Sequence, residues 1–289
     1  MTARTALVFG GSGQLGAALL ARLAAGGWDI AAVSRQPRAS GNGLRWLQGE
    51  LARPPELPRS CDVIFSAGPL DLFSNWYAGS AIECARVVAF GSTSMHAKRA
   101  ADDPGERELA ARLRTAEERL FQAAAGRGAA ATALRPTLVY GAGRDANLTR
   151  IARLASRAGF FPLPRGAIGL RQPVHVDDLA AAAVAAVDSA ASHGRGYDLP
   201  GGEALPYHEM VARTLAALSP PPRLLQLPGP VFRSVLAVVR ATGRLQGMPP
   251  GAIARMREDL VFDAGPAQRD LGYAPRPFRP TSATFFPGP

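Results

Sequence analysis

The segment Gly10-Gly11-Ser12-Gly13-Gln14-Leu15-Gly16 constrains this chain more than any other. It follows the apolar run Thr5–Phe9 directly and opens the Ala/Leu-rich stretch Leu15–Ala25, so three glycines at G-x-x-G-x-x-G spacing join a predicted strand to a predicted helix. At such a junction unpaired backbone N–H groups and the helix dipole favour an anion, and residues without Cβ let a diphosphate approach the main chain. Gly10 and Gly13 serve the close approach, Ser12, Gln14 and Leu15 contribute to the turn, and Gly16 lets the helix lie close to the strand. A glycine turn without a ligand is the competing reading. The strand before it and the helix after it favour the dinucleotide reading.

The rest of the first half alternates short apolar runs with helical stretches, the pattern of βαβ units around a parallel sheet. Strands are predicted at Thr5–Phe9, Asp29–Ser34, Leu44–Gln48, Asp62–Ser66, Arg86–Phe90 and Thr132–Val139, and helices at Leu15–Ala25 and Glu106–Ala125. Beyond Tyr140 come a helix near Ala146–Ala158, a Pro-rich turn at Phe161–Arg165, a strand near Gln172–Val176, and an alanine helix over Asp177–Ala190. Tyr197–Leu199 reads as a strand, and Pro206–Leu218 and Pro230–Ala241 as helices with Pro at the start, where its missing N–H costs nothing. Leu224–Leu245 is apolar, which suits either contact with a membrane surface or, as the favoured reading, a helix packed on a core with Arg233, Arg240 and Arg244 as its wet side. The fold class is α/β: a Rossmann-type doubly wound parallel sheet with a smaller C-terminal α+β substrate lobe. The nucleotide-binding domain is expected over 1–143 with 172–200, and the lobe over 144–171 and 201–289.

Two cysteines, Cys61 and Cys84, are too few for a disulfide framework and lack zinc-site spacing, which suits a reducing cytoplasm. His96, His175, His193 and His208 show no ligand spacing either, so no metal is expected. No signal peptide or membrane-spanning run is visible. The formal charge of +10 raises the question of nucleic acid, but the basic residues, all arginine except Lys98, are scattered rather than striped among aromatics, and nucleic acid is not expected as a partner. A hydrolase has no G-x-S-x-G elbow to build on.

The choice of dinucleotide falls at the end of the second strand. Asp29 begins that strand, about 16 Å from the cofactor end at roughly 3.3 Å per residue. The other end reads Ser34-Arg35, with Arg38 nearby, and a guanidinium can grip a 2′-phosphate that a carboxylate would repel. NADP(H) is therefore expected over NAD(H).

Five segments in order carry a resemblance: Gly10–Gly16, Phe65-Ser66-Ala67-Gly68, Gly91-Ser92-Thr93-Ser94, Leu134–Gly141, and Pro173-Val174-His175-Val176-Asp177-Asp178-Leu179-Ala180. Together they resemble the extended short-chain dehydrogenase/reductases, the NAD-dependent epimerase/dehydratase family, and Gly272-Tyr273 looks like that family's closing segment. The resemblance implies that Glu50 and Leu51 sit by the adenine, Ala67 and Gly68 line the groove, and Pro136 touches the nicotinamide end. It further implies Ser92 as the catalytic hydroxyl and places Arg144, Arg171 and His175 on the substrate side. For His175 a packing or backbone-bonding role is the other reading, and for Ser92 a strand-end cap.

One departure bears on the chemistry. The family's Tyr-x-x-x-Lys pair is absent: when Glu117-Glu118 is matched to the family's helix, Leu109 and Leu113 stand in its place. The link from Gly68 to Arg86 also looks too short for the family's full helix, and both features resemble a compact atypical branch. A proton would then come from Ser92, His96, Tyr77 or water. Two functions stay open: an NADP(H)-dependent oxidoreductase or epimerase-like enzyme on a small, phosphorylated or nucleotide-linked substrate held between sheet and lobe, and a non-catalytic NADP(H)-binding sensor or structural subunit. Family packing implies a homodimer through Glu106–Ala125.

Overall fold

The computed structural model describes residues 3–41, 43–232, 234 and 255–287. The chain divides into two compact units: unit 1 is Met1–Thr137, Val174–Pro200 and Asp263–Pro275, and unit 2 is Leu138–Pro173, Gly201–Phe262 and Arg276–Pro289.

Unit 1 is built on parallel strands β1 (Thr5–Phe9), β2 (Asp29–Ser34), β3 (Leu44–Gln48), β4 (Ser60–Ser66), β5 (Glu83–Phe90) and β6 (Ala130–Pro136). Between them run helices α1 (Gln14–Ala25), α2 (Leu70–Gly79), the single turn α3 (Ser94–Ala97) and α4 (Pro104–Ala125). The next elements along the chain are β7 (Val139–Tyr140), α5 (Leu148–Ala158), β8 (Phe160–Pro164), β9 (Leu170–Arg171), β10 (Val174–His175), α6 (Val176–Asp188) and β11 (Arg195–Leu199). The sheet order is β11-β6-β5-β4-β1-β2-β3, which reverses direction at β1/β4, the place where doubly wound sheets open a crevice at the carboxyl ends of their strands.

The strands form where the sequence offers near-continuous apolar runs, as sheets covered on both faces require. Leu7, Val8, Phe65, Val87 and Val88 are fully buried. Phe9, Phe73 and Trp76 form an aromatic cluster that seats α2 on the sheet, the Phe9 and Trp76 centroids lying 4.4 Å apart. The link read as too short for a full helix holds this ten-residue helix. At the start of α4 the Asp103 carboxylate accepts from the Glu106 amide at 3.0 Å, an N-cap followed by Pro104 at the first helical position. Helix α8 (Gly265–Leu271) and Tyr273, whose hydroxyl donates to the Pro200 carbonyl at 2.7 Å, bring 263–275 into unit 1, although the sequence reading had put this stretch in the smaller lobe.

Unit 2 gathers β12 (Leu205–Pro206), α7 (Tyr207–Ala216), β13 (Arg223–Leu227) and α9 (Ser282–Phe285) with α5, β8 and β9 around Leu148, Ile151, Leu163, Met210, Leu215, Phe278 and Phe285. The expected turn at Phe161–Arg165 is instead strand β8, paired in parallel with β13 from Phe160↔Arg223 to Pro164↔Leu227. Proline survives there because Pro162 and Pro164 remove only N–H groups that would face away from β13, while Arg165 keeps its bond to the Leu227 carbonyl at 3.0 Å. The run expected as one strand over Thr132–Val139 splits into β6 and β7. Most of the helix expected over Pro230–Ala241, with Arg233, Arg240 and Arg244, lies outside the described residues. No helix among the described residues is long and apolar enough to cross a membrane.

Candidate functional site

The glycine turn leaves β1 beside the end of β4. Gly10 takes φ +74°, and a Cβ there would meet the Ala67 carbonyl carbon at 2.7 Å and the Gly68 nitrogen at 2.8 Å. A Cβ on Gly16 would overlap the Gly10 carbonyl oxygen, so this glycine is what lets α1 start directly under the turn. Gly13 is the N-cap of α1 and offers no side-chain cap, and no acidic residue stands in the first helical turn. Neither a capping side chain at Gly13 nor a carboxylate in the first turn therefore offsets the positive dipole end of this helix. The Gln14 Oε1 is also buried without a hydrogen-bond partner. This cradle of bare main chain fits a dinucleotide diphosphate.

Phe9 pairs with Val33, so β2 ends next to the turn: Ser34 is buried, its hydroxyl accepting from the Gln36 amide at 3.3 Å, and Arg35 emerges exposed. Asp29 pairs with Thr5 at the opposite edge of the sheet. Arg38 is engaged with the Trp46 ring, 5.2 Å from its centroid. The Gly49 amide donates to the Ser34 carbonyl, Glu50 is exposed in a bridge with Arg53, and Leu51 lies within 4.0 Å of where a Gly68 side chain would begin.

Further along the carboxyl edge, the Thr93 amide and hydroxyl both donate to the Pro136 carbonyl, at 3.2 and 3.1 Å, which brings the end of β5 with Ser92 to the end of β6. The Ser92 hydroxyl accepts from the Ser94 amide at 3.1 Å. Lys98 Nζ stands 3.6 Å from Glu106 Oε1, just past α3.

Beside Ser92 lies a charge network that sequence reasoning named only in part. Arg135 Nε donates to Glu117 Oε2 at 2.9 Å and its Nη2 pairs with Glu117 Oε1, while its Nη1 lies 3.4 Å from Asp198 Oδ1. His96 Nε2 lies 3.4 Å from both that oxygen and Arg135 Nη1. Burial alone would lower the Arg135 guanidinium, but its pairing with Glu117 and Asp198 outweighs burial and raises it. Gly196 carries no side chain because a Cβ there would collide with this guanidinium. The signal for Asp198 was its register with Arg135, invisible until β11 and β6 are paired.

Other candidates stand elsewhere. Tyr77 is buried at the end of α2, beside Cys84 and under Arg127, whose guanidinium is 4.6 Å from the ring centroid. Burial pushes its phenol up to about 12. Cys84 belongs to the amino edge of the sheet, away from the glycine turn, where a cavity of about 520 Å³ is lined by Cys61, Cys84 and Arg127. Burial pushes the Cys61 thiol up to about 12, which leaves it a poor nucleophile. His175 caps α6: its Nδ1 accepts from the Asp177 amide at 3.2 Å. Arg171 in unit 2 is buried and donates to the carbonyls of Leu170 and Glu258, each at 2.7 Å, and of Arg255, with Tyr207 against it. A guanidinium so committed to backbone carbonyls is a structural strut. Arg144 is exposed in unit 2. Among the described residues no cluster of three or more His, Cys, Asp or Glu side chains could hold a metal ion.

No protein-family model matches the chain. It is 28% identical to a 2-alkyl-3-oxoalkanoate reductase of Stenotrophomonas maltophilia over 93% of this chain and 94% of that protein. Among solved structures, MoeE5 in complex with UDP-glucuronic acid and NAD superposes with a TM-score of 0.71 at 20% identity, covering 97% of both chains. A UDP-glucose 4-epimerase of Thermotoga maritima gives 0.67 at 13% identity, covering 94% of both. These structural likenesses speak for the fold. The chain thus shares the fold of these proteins, with the same kind of switch of strand order at β1/β4, and is similar over nearly its whole length to a protein named a reductase.

Proposed function

We propose that the chain is an NADP(H)-dependent reductase of a small carbonyl substrate, with His96 rather than a tyrosine as its proton source. The observation that carries this reading is the juxtaposition of Ser92, His96 and Asp198 at the edge of the sheet that also carries the glycine cradle, in a chain whose full-length relative is named a reductase. The cradle of Gly10, Ser12, Gly13, Gln14, Leu15 and Gly16 would hold the diphosphate, Ser34 and Arg35 the adenosine 2′-phosphate, Glu50 and Leu51 the adenine side, and Ala67, Gly68 and Pro136 the groove. A reduced nicotinamide, when bound, supplies the hydride. Asp198 orients the His96 ring, the Ser92 hydroxyl donates a hydrogen bond to the carbonyl oxygen, and His96 releases a ring proton to the alkoxide that forms. Arg144 remains a candidate for an anionic group of the substrate.

The test is NADPH oxidation followed by nicotinamide absorbance across a panel of 3-oxo acids, simple ketones and nucleotide sugars. Turnover is expected with a 3-oxo acid, and His96→Gln is expected to lower kcat about 100-fold or more, as loss of a general acid does, with NADPH affinity unchanged. Tight NADPH binding with no oxidation across the panel would sink the enzyme reading and leave the sensor, the reading that Leu109 and Leu113 in place of Tyr and Lys favour.

A further inference from the structure

The formal charge of +10 is unevenly held. Unit 1 carries eighteen basic residues against eighteen carboxylates, and unit 2 fifteen arginines against five carboxylates, so the whole excess belongs to unit 2. Two of those five, Glu203 and Glu209, are paired with Arg213, at 2.8 and 2.9 Å, and Asp145 is buried, accepting from the Asn147 and Thr149 amides. No carboxylate occurs anywhere in 146–176 or 210–257.

The same unit holds most of the exposed apolar bulk. Of the eight large hydrophobic residues exposed among the described ones, seven are in unit 2: Leu154, Phe160, Ile168, Leu225, Val231, Val261 and Phe286. Scattered singly such residues need no explanation, but several here interleave with arginine. Helix α5 turns Leu148, Ile151, Ala152 and Ala155 inward and leaves Arg150, Arg153, Leu154 and Arg157 outside, spaced as one stripe. Phe160 follows within one turn, pairs in register with exposed Arg223, and Leu225 is exposed two residues along β13. Arg153 also reaches the Gly143 carbonyl at 2.7 Å.

We propose that this face of unit 2, Arg150, Arg153, Leu154, Arg157 and Phe160 with Arg223 and Leu225 beside it, docks on the surface of an anionic phospholipid bilayer. Phosphate headgroups meet the guanidinium fork in two-point contacts, and the layer just beneath takes up Leu154, Phe160 and Leu225. Nucleic acid would satisfy the arginines and leave the apolar side chains in water. An acidic protein would need carboxylates and an apolar patch interleaved at matching spacing. A bilayer interface offers both layers to any docked face.

Flotation of the full chain with vesicles decides the matter. Binding is expected to vesicles of mixed phosphatidylglycerol and phosphatidylcholine, to be absent with phosphatidylcholine alone, and to weaken as salt screens the headgroups. The triple variant R150E/R153E/R157E is expected to lose about tenfold or more in partitioning, from the contribution of each cation near an anionic surface. The double variant L154S/F160S keeps every charge and is also expected to bind more weakly; both variants alter exposed side chains, and unchanged circular dichroism and NADPH binding establish that they fold. The proposal is overturned by no binding to anionic vesicles at low salt, by L154S/F160S binding as tightly as the parent, or by a DNA or RNA duplex displacing the vesicles in a way that L154S/F160S leaves unchanged.

Discussion

Single residues decide two properties of this chain. Arg35 stands exposed where β2 ends beside the glycine turn, while the carboxylate at a comparable sequence distance, Asp29, is at the far edge of the sheet. Reversing that one charge should cost a charge-assisted hydrogen bond of about 1.5–3 kcal/mol, a loss of NADPH affinity of roughly tenfold to a hundredfold. Titration of Arg35→Asp with NADPH and NADH checks it: NADPH should weaken and NADH should not, and an unaltered NADPH affinity would remove the 2′-phosphate assignment. Gly196 is the quieter case. Its missing side chain matters because the Arg135 guanidinium runs where a Cβ would be.

At the scale of elements, local pattern and long-range pairing separate cleanly. Strands β1, β2 and β3 begin and end where the apolar runs do, because each is a short run closed by a polar residue or glycine. Strand β8 was hidden by its own prolines, which are read as turn residues unless the edge they face is known. The Glu117–Arg135–Asp198 network joins α4, β6 and β11, elements whose adjacency no local periodicity announces. Of the two readings open for His175, the contact with the Asp177 amide is the backbone-bonding one, while Arg171's carbonyl partners include 255 and 258, more than eighty residues away, which no local pattern announces. Since Glu117 is buried, Glu117→Leu should leave the Arg135 guanidinium to Asp198 alone, at 3.4 Å, and cost about 1–3 kcal/mol of stability. Adding Arg135→Leu should restore much of it, read as the midpoint of denaturant unfolding. An additive double variant would show that the two side chains do not act as a pair.

For the whole molecule, two units of unequal charge share one chain. Unit 1 is electrically balanced, its eighteen cations matched by eighteen carboxylates. That balance is struck almost wholly with arginine, and Lys98, held near Glu106 just past Ser92, is the sole lysine in 289 residues. Acylating reagents that spare guanidinium thus have one internal address in the protein, near the carboxyl edge of the sheet. A fluorophore attached there would be a native reporter of coenzyme occupancy without any engineered cysteine, and peptide mapping after labelling should recover one modified side chain, shielded by saturating NADPH. Equal labelling with and without the coenzyme would mean that the occupied groove ends short of α3.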